Sequence, residues 1–248
     1  MKIIFSDLDG TLLFKNESKL NKNIKSSVYS ILNNGDLFAV SSGRTYIELK
    51  NIFKEFENDI YFIANDGALV VHEEQTLYHS PLDKNLFTNF KCFSAHAKYV
   101  TYIKSTNYMH KHNLVEQYRN NTMIIDSIDD INEPIYKISD YDKTIACPLP
   151  VVYQNPDMNE YIADGINKGK ATEFILRHLK INIKDAIAFG DNINDIEMFK
   201  ACGTSYAVST ALPQVKKHAD KVIYRVEDEL TKIANRRKRI WNFLTLKK

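Results

Sequence analysis

The chain is predicted to be an α/β protein: a doubly wound, Rossmann-like parallel sheet core carrying a smaller inserted α+β cap domain. Three observations predict this. Residues 1–81 and 164–248 alternate short apolar runs with amphipathic ones, the pattern of parallel strands joined by helical crossovers. None of the eight glycines lies between Ala68 and Asp164, so the composition changes across the middle of the 248 residues. That same middle, residues 82–163, holds eight of the fourteen tyrosines.

In chain order, Lys2 to Ser6 reads as a buried strand. Asn23 to Asn33 is a helix with an apolar stripe at Ile24, Val28, Ile31 and Leu32, and Asn34-Gly35 supplies a left-handed stop. Leu37 to Val40 is a strand, Tyr46 to Phe56 a helix, and Ile60 to Ala64 a third strand. The pattern resumes with a helix over Ala171 to Leu179, a strand over Ala186 to Phe189, and a short helix from Asp195 stopped at Cys202-Gly203. Strands at Ser205 to Val208 and Lys221 to Tyr224 follow, and right-handed crossovers wind them into one sheet. In the middle, helices are expected over 82–97 and 113–120, with strands at 99–104, 123–125, 144–146, 151–153 and 161–162.

Composition narrows the functional classes. The hydrophobic fraction of 44% and charged fraction of 26% are those of a globular protein. A net charge of +2 provides no field for nucleic acid or membrane surfaces. No apolar run reaches membrane-spanning length, and an acidic residue at Asp7 comes too early for a signal peptide. Cys92, Cys147 and Cys202 are odd in number and far apart, which suits a reducing cytoplasm. A monomer or homodimer is expected.

Four short motifs carry chemistry. Asp7-Leu8-Asp9-Gly10-Thr11 follows the first strand; a carboxylate can attack phosphorus and a second can carry a proton. Ser41-Ser42-Gly43-Arg44 follows the second strand and offers a hydroxyl with backbone N–H groups to a phosphate. Lys168-Gly169 opens a helix, where the ammonium can balance negative charge; Lys170 competes for that role. Gly190-Asp191-Asn192-Ile193-Asn194-Asp195 follows a strand and can supply Mg²⁺ ligands and groups that orient them. Singly, each motif has a plainer reading as a helix cap, a capped turn or a solvated lysine. Together, all four fall at strand ends or helix starts of one sheet and point to one rim.

In this order the four motifs resemble those of the haloacid dehalogenase-like (HAD) phosphohydrolases. The long insert between the second and third resembles the Cof-type subgroup, subclass IIB. The resemblance covers the flanking core, about two thirds of the chain. It implies that Asp7 is the nucleophile and Asp9 the general acid/base. It places Ser42, Gly43, Arg44, Lys168 and Asn194 on the substrate side, with Ser42 binding phosphate and Lys168 balancing charge. Mg²⁺ would be held by the Asp7 carboxylate, the Asp9 backbone carbonyl and Asp191, supported by Asn194 and Asp195. Two residues depart from the subgroup's pattern: Ser42 stands where Thr is usual, and Asp66 of Asn65-Asp66-Gly67-Ala68 stands where Asn is usual.

The activity implied is Mg²⁺-dependent hydrolysis of a small phosphate monoester, a sugar phosphate or related metabolite, through an aspartyl-phosphate. Two alternatives remain at this level: a phosphomutase or phosphotransferase on the same scaffold, or a non-catalytic phosphometabolite-binding protein. In the insert, Tyr102, Lys104, Tyr108, His110 and His112 cluster in sequence, either as donors to a sugar phosphate or, the plainer reading, as a wet outer face. The basic, aromatic stretch from Arg236 to Leu244 reads as an RNA-touching tail or, more plainly, as the end of the last helix, with Trp241 and Phe243 covering the sheet.

Overall fold

Every residue of β1 (Ile3–Asp7) is buried. The reason is its place in the sheet: it runs between β2 (Leu37–Ser41) and β12 (Ala186–Gly190), parallel to both. The computed structural model describes residues 1–14, 17–85, 99–102, 104, 106–110, 122–141, 143, 149–154 and 156–245. Beyond β2 the sheet continues through β3 (Tyr61–Ala64), β4 (Leu69–His72) and β5 (Gln75–His79). Beyond β12 it continues through β13 (Thr204–Val208) to β14 (Lys221–Ile223), eight strands in all. Strand order therefore reverses between β1 and β12. In a doubly wound sheet that switch point opens the crevice where ligands bind.

The helices cover this sheet as the sequence pattern requires. Helix α1 (Lys22–Asn33) is capped by Asn21, whose side chain accepts from the Ile24 N–H, and ends at Gly35 with a φ of 72°. α2 (Tyr46–Ile52) starts in a Thr45/Glu48 capping box. It stops four residues earlier than expected, and Lys54–Phe56 tightens into a 3₁₀ turn. α3 (Lys168–Leu179) starts three residues before its expected position, because Asn167 caps it by accepting from the Lys170 N–H. α4 (Ile196–Lys200) and α5 (Pro213–Lys216) are short. α6 (Val226–Thr245) lies along α1, with Ser27 Oγ 3.0 Å from Thr231 Oγ1. The backbone of the basic stretch thus continues the last helix; its side chains, Trp241 and Phe243 included, lie outside the described residues.

The sheet departs from the all-parallel expectation at one edge. β4 and β5 form an antiparallel hairpin added to β3. Its two-residue turn, Glu73-Glu74, has φ of 46° and 63°, the mirror-image turn that suits strand twist. Such turns favour Asn and Gly, so two glutamates hide the hairpin from a sequence reading.

A second, six-stranded sheet is built from β6 (Tyr99–Tyr102), β7 (Asn107–His110), β8 (Thr122–Ile125), β9 (Lys137–Asp140), β10 (Val151–Gln154) and β11 (Asn159–Tyr161). Its order is β10-β11-β9-β6-β7-β8, antiparallel except between β7 and β8. One face packs on an apolar cluster of its own that includes Leu82, Ile125, Ile131, Ile135, Ile138 and Tyr161. The expected helices at 82–97 and 113–120, the strand at 144–146, and His112 fall largely or wholly outside the described residues.

Candidate active site

The four motifs meet at the switch point. Asp7 ends β1, Ser42 follows β2, and Gly190-Asp191 leaves β12 beside it. Lys168, the first residue of α3, is buried under this rim. Its Nζ donates to Asp7 Oδ1 at 2.7 Å and to Asp195 Oδ1 at 2.7 Å. Lys170, by contrast, is exposed. Gly169 lets α3 approach α4: a Cβ there would lie 2.5 Å from the Glu197 carbonyl oxygen.

Asp195 is wholly buried and uses both carboxylate oxygens. Oδ1 takes the lysine, and Oδ2 accepts from the backbone N–H of Asp191 at 2.9 Å and of Asn192 at 3.0 Å. It thereby holds the Asp191 loop in place. Asp191 in turn occupies the space left by Gly10: a Cβ on that residue, whose φ is +89°, would come 2.4 Å from Asp191 Oδ2. Thr11 Oγ1 donates to Asp191 Oδ1 at the long distance of 3.5 Å.

Three carboxylates, Asp7, Asp191 and Asp195, therefore offer oxygens within 4.8 Å of one another, and Asp7 and Asp195 share one ammonium. Electrostatics follow from that surplus. Burial pushes the Asp7 carboxyl well above the usual range; Lys168 draws it down, and Asp195 and Asp191 push it up again. Burial and the Asp195 charge push Asp191 up to about 6. For Lys168, burial works against the ammonium, but Asp195, Asp7 and Asp66 outweigh it and hold the pKa above the ordinary lysine value. Asp7 Oδ2 is buried with no hydrogen-bond partner. An orphaned carboxylate oxygen inside a surplus of negative charge fits a hard divalent cation, which takes oxygen ligands.

Asp9 stands apart from this cluster. Its side chain is half exposed and is clamped by Arg44, Nε to Oδ2 at 2.8 Å and Nη2 to Oδ1 at 2.6 Å. Ser42 Oγ accepts from the Arg44 N–H at 3.1 Å, closing the Ser-Gly-Arg turn. Asn194 reaches a group outside the expected set: its Nδ2 donates to Asp66 Oδ1 at 2.8 Å.

Asp66 is the residue the motifs underplayed. It sits in the left-handed region, φ 56°, and its N–H donates to the Ser42 carbonyl at 3.0 Å. Its carboxylate lies against Gly43, where a Cβ would meet Oδ2 at 2.9 Å. The signal was present, since Asp66 stands where the resemblance leads one to expect Asn.

The insert's expected cluster divides. Tyr102 is buried, with its hydroxyl 3.0 Å from Ser139 Oγ, which corrects the wet-face reading for that residue. Tyr108 pairs across from Thr101 and so faces the insert's apolar core, on the opposite face from Tyr102. Lys104 donates to the Glu74 carbonyl and to Thr76 Oγ1, both at 2.9 Å, at the edge hairpin. The side chain of His110 lies outside the described residues.

Comparison with known proteins agrees with this geometry. Residues 4–229 match the haloacid dehalogenase-like hydrolase family. YbjI of Escherichia coli, a 5-amino-6-(5-phospho-D-ribitylamino)uracil phosphatase, is 24% identical over 233 residues, 85% of this chain and 86% of its own. YitU of Bacillus subtilis, which carries the same activity name, is 24% identical over 254 residues, 92% of this chain and 93% of its own. The solved structure of a HAD subclass IIB sugar phosphatase superposes with a TM-score of 0.74 at 20% identity, covering 97% of this chain and 99% of that one. The chain belongs to the haloacid dehalogenase-like hydrolases and is a phosphatase of their Cof-type group.

Proposed function

We propose that this phosphatase hydrolyses a small phosphate monoester with a hydroxylated leaving group, a sugar phosphate or related metabolite, through an aspartyl-phosphate on Asp7. The observation that carries the proposal is Asp7 itself. One of its oxygens is held by Lys168, and the other is buried and unpartnered beside Asp191. The names of the two relatives support the substrate class, since each describes a phosphorylated ribityl chain.

In this reading Asp7 attacks phosphorus, a new P–O bond to the carboxylate forms, and the ester P–O bond breaks. Lys168 offsets the charge that would repel the incoming phosphate. Asp9 gives a proton to the departing alkoxide, then takes one from the water that cleaves the aspartyl-phosphate. To do so it has to leave Arg44, which is free to bind phosphate oxygens at that moment. Ser42, Gly43 and Asn194 line the substrate side. Mg²⁺ would be held by the Asp7 carboxylate, the Asp9 backbone carbonyl and Asp191, with Asp195 orienting them; it supplies charge stabilisation to the transferring phosphoryl group.

The cysteine pattern supports a reducing, cytoplasmic setting, and the described residues contain no helix long and apolar enough to cross a membrane. The test is phosphate release from a panel of esters: sugar phosphates, phosphorylated ribityl compounds, nucleotides and vitamin phosphates, with Mg²⁺. Release without an added acceptor supports hydrolysis. Turnover that requires a sugar acceptor identifies a phosphotransferase, and binding without any turnover overturns the enzymatic reading.

A further inference from the structure

One face of the second sheet carries a row of polar side chains that no motif announces. Lys137 of β9 pairs directly with Tyr102 of β6, Tyr102 with Asn107 of β7, and Asn107 with Thr122 of β8. Residues directly opposite share a face, so these four stand side by side. The next row on that face holds Ser139 and, opposite it, Glu160. The groups are joined: Lys137 Nζ lies 3.1 Å from Glu160 Oε1 and 5.0 Å above the Tyr102 ring, and Ser139 Oγ donates to Glu160 Oε1 at 2.9 Å.

Lys137 is buried, and its ammonium reaches out of its own sheet. It donates to the carbonyl of Gly43 at 2.6 Å. Gly43 lies between Ser42 and Arg44, the residues proposed to meet phosphate, and its Cα faces the Asp66 carboxylate. A structural ion pair needs only Glu160. The additional bond puts a cation from the insert beside the Ser42-Gly43-Arg44 turn.

The donor and acceptor set indicates what that leaving group is. Lys137 supplies donors only, Tyr102 and Ser139 supply hydroxyls, and Glu160 and Asp66 supply acceptors. Asn107 Oδ1 and Thr122 Oγ1 are buried acceptors with no hydrogen-bond partner. A polyol, in which each hydroxyl both donates and accepts, fits such a mixed set. A second anionic group does not, because Glu160 already neutralises Lys137 and Asp66 adds a negative charge.

We propose that Lys137 is the specificity-determining residue of the insert: on substrate binding its ammonium exchanges the Gly43 carbonyl for a leaving-group hydroxyl, with Glu160 accepting from a neighbouring one. This inference rests on the phosphatase reading above and extends it to named residues of the insert.

The experiment measures kcat/KM for glucose 6-phosphate, 3-phosphoglycerate and p-nitrophenyl phosphate in the full chain and in K137M, K137R and E160Q. The three esters share the phosphate and differ in hydroxyls and in added charge. In K137M the ratio of glucose 6-phosphate to p-nitrophenyl phosphate is expected to fall about 10- to 100-fold, mostly through KM, as for a lost charged hydrogen bond. In E160Q the ratio of 3-phosphoglycerate to glucose 6-phosphate is expected to rise about tenfold, as one negative charge leaves the subsite. Ratios within twofold of the unmodified chain in both variants overturn the role of Lys137, as does a chain that cleaves p-nitrophenyl phosphate but neither of the others. If K137M does not fold, K137R and E160Q carry the same comparison. A chain that releases phosphate from none of the esters overturns the phosphatase reading itself, and this proposal with it.

Discussion

Lys168 and Lys137 are both buried and both bonded to carboxylates, yet their surroundings close differently. Lys168 is shared by Asp7 and Asp195 with Asp191 beside them, so three carboxylates face one ammonium and an oxygen of Asp7 remains unpartnered. Lys137 pairs with Glu160 and also meets the Gly43 carbonyl and the Tyr102 ring. The first arrangement is left with a surplus of negative charge that a cation can offset; the second ties a lysine of the insert to the Ser42-Gly43-Arg44 turn. The two buried lysines thus differ in surroundings: one lies within a cluster of three carboxylates, the other bridges the insert and the loop after β2.

The largest expected effect tests whether the Lys168 region is the reacting one. Asp7→Asn should reduce phosphate release by more than about 10³-fold, because the nucleophile is lost. Turnover within tenfold of the unmodified chain would remove the chemistry from this region and dissolve the contrast.

The next effect concerns stability. Lys168→Met leaves buried carboxylates without their cation and should cost about 3–5 kcal/mol in urea unfolding. Lys137→Met leaves Glu160 with Ser139 as a donor and should cost about 1–3 kcal/mol. Equal costs for the two variants break the comparison.

Removing metal sharpens it further. EDTA should abolish turnover and added Mg²⁺ should restore it. Mg²⁺ should also raise the melting temperature of the metal-free chain, and Asp191→Asn should cancel that rise. A rise that persists in the variant places the cation elsewhere.

The smallest expected effect is the pH dependence of metal-free stability. The folded-state pKa of Asp191, about 6, lies above its ordinary value of 3.8. Between those values the folded chain keeps a proton that the unfolded chain has lost, so stability falls as pH rises from about 4 to 6 and levels off above. Melting curves of the unmodified chain should show this decline relative to Asp191→Asn. Parallel curves would mean that burial and the Asp195 charge do not raise Asp191.

Much of the site was legible because its chemistry is local. Asp7 and Asp9, Ser42 and Arg44, Lys168, and Asp191 through Asp195 each sit in short motifs at the end of a strand or the start of a helix, and each junction has its own cap or glycine. The β4–β5 hairpin was not legible, since two glutamates fill a turn that favours Asn and Gly. The grouping of Tyr102 with Tyr108 failed for a different reason. Both belong to strands of one sheet, but the register puts them on opposite faces.

The sequence by itself determined the alternation of strands and helices, the insert between flanking segments, and which residue types stand at the rim. Local periodicity and capping encode these over a few residues. Only the tertiary structure decided that Asp195 holds the Asp191 loop, that Arg44 clamps Asp9, that Asp66 meets Asn194 and Gly43, and that Lys137 crosses from one sheet to the other. Lys137 and Gly43 are 94 residues apart. Which groups meet over such a separation depends on sheet order and register, and those are settled by packing the whole chain.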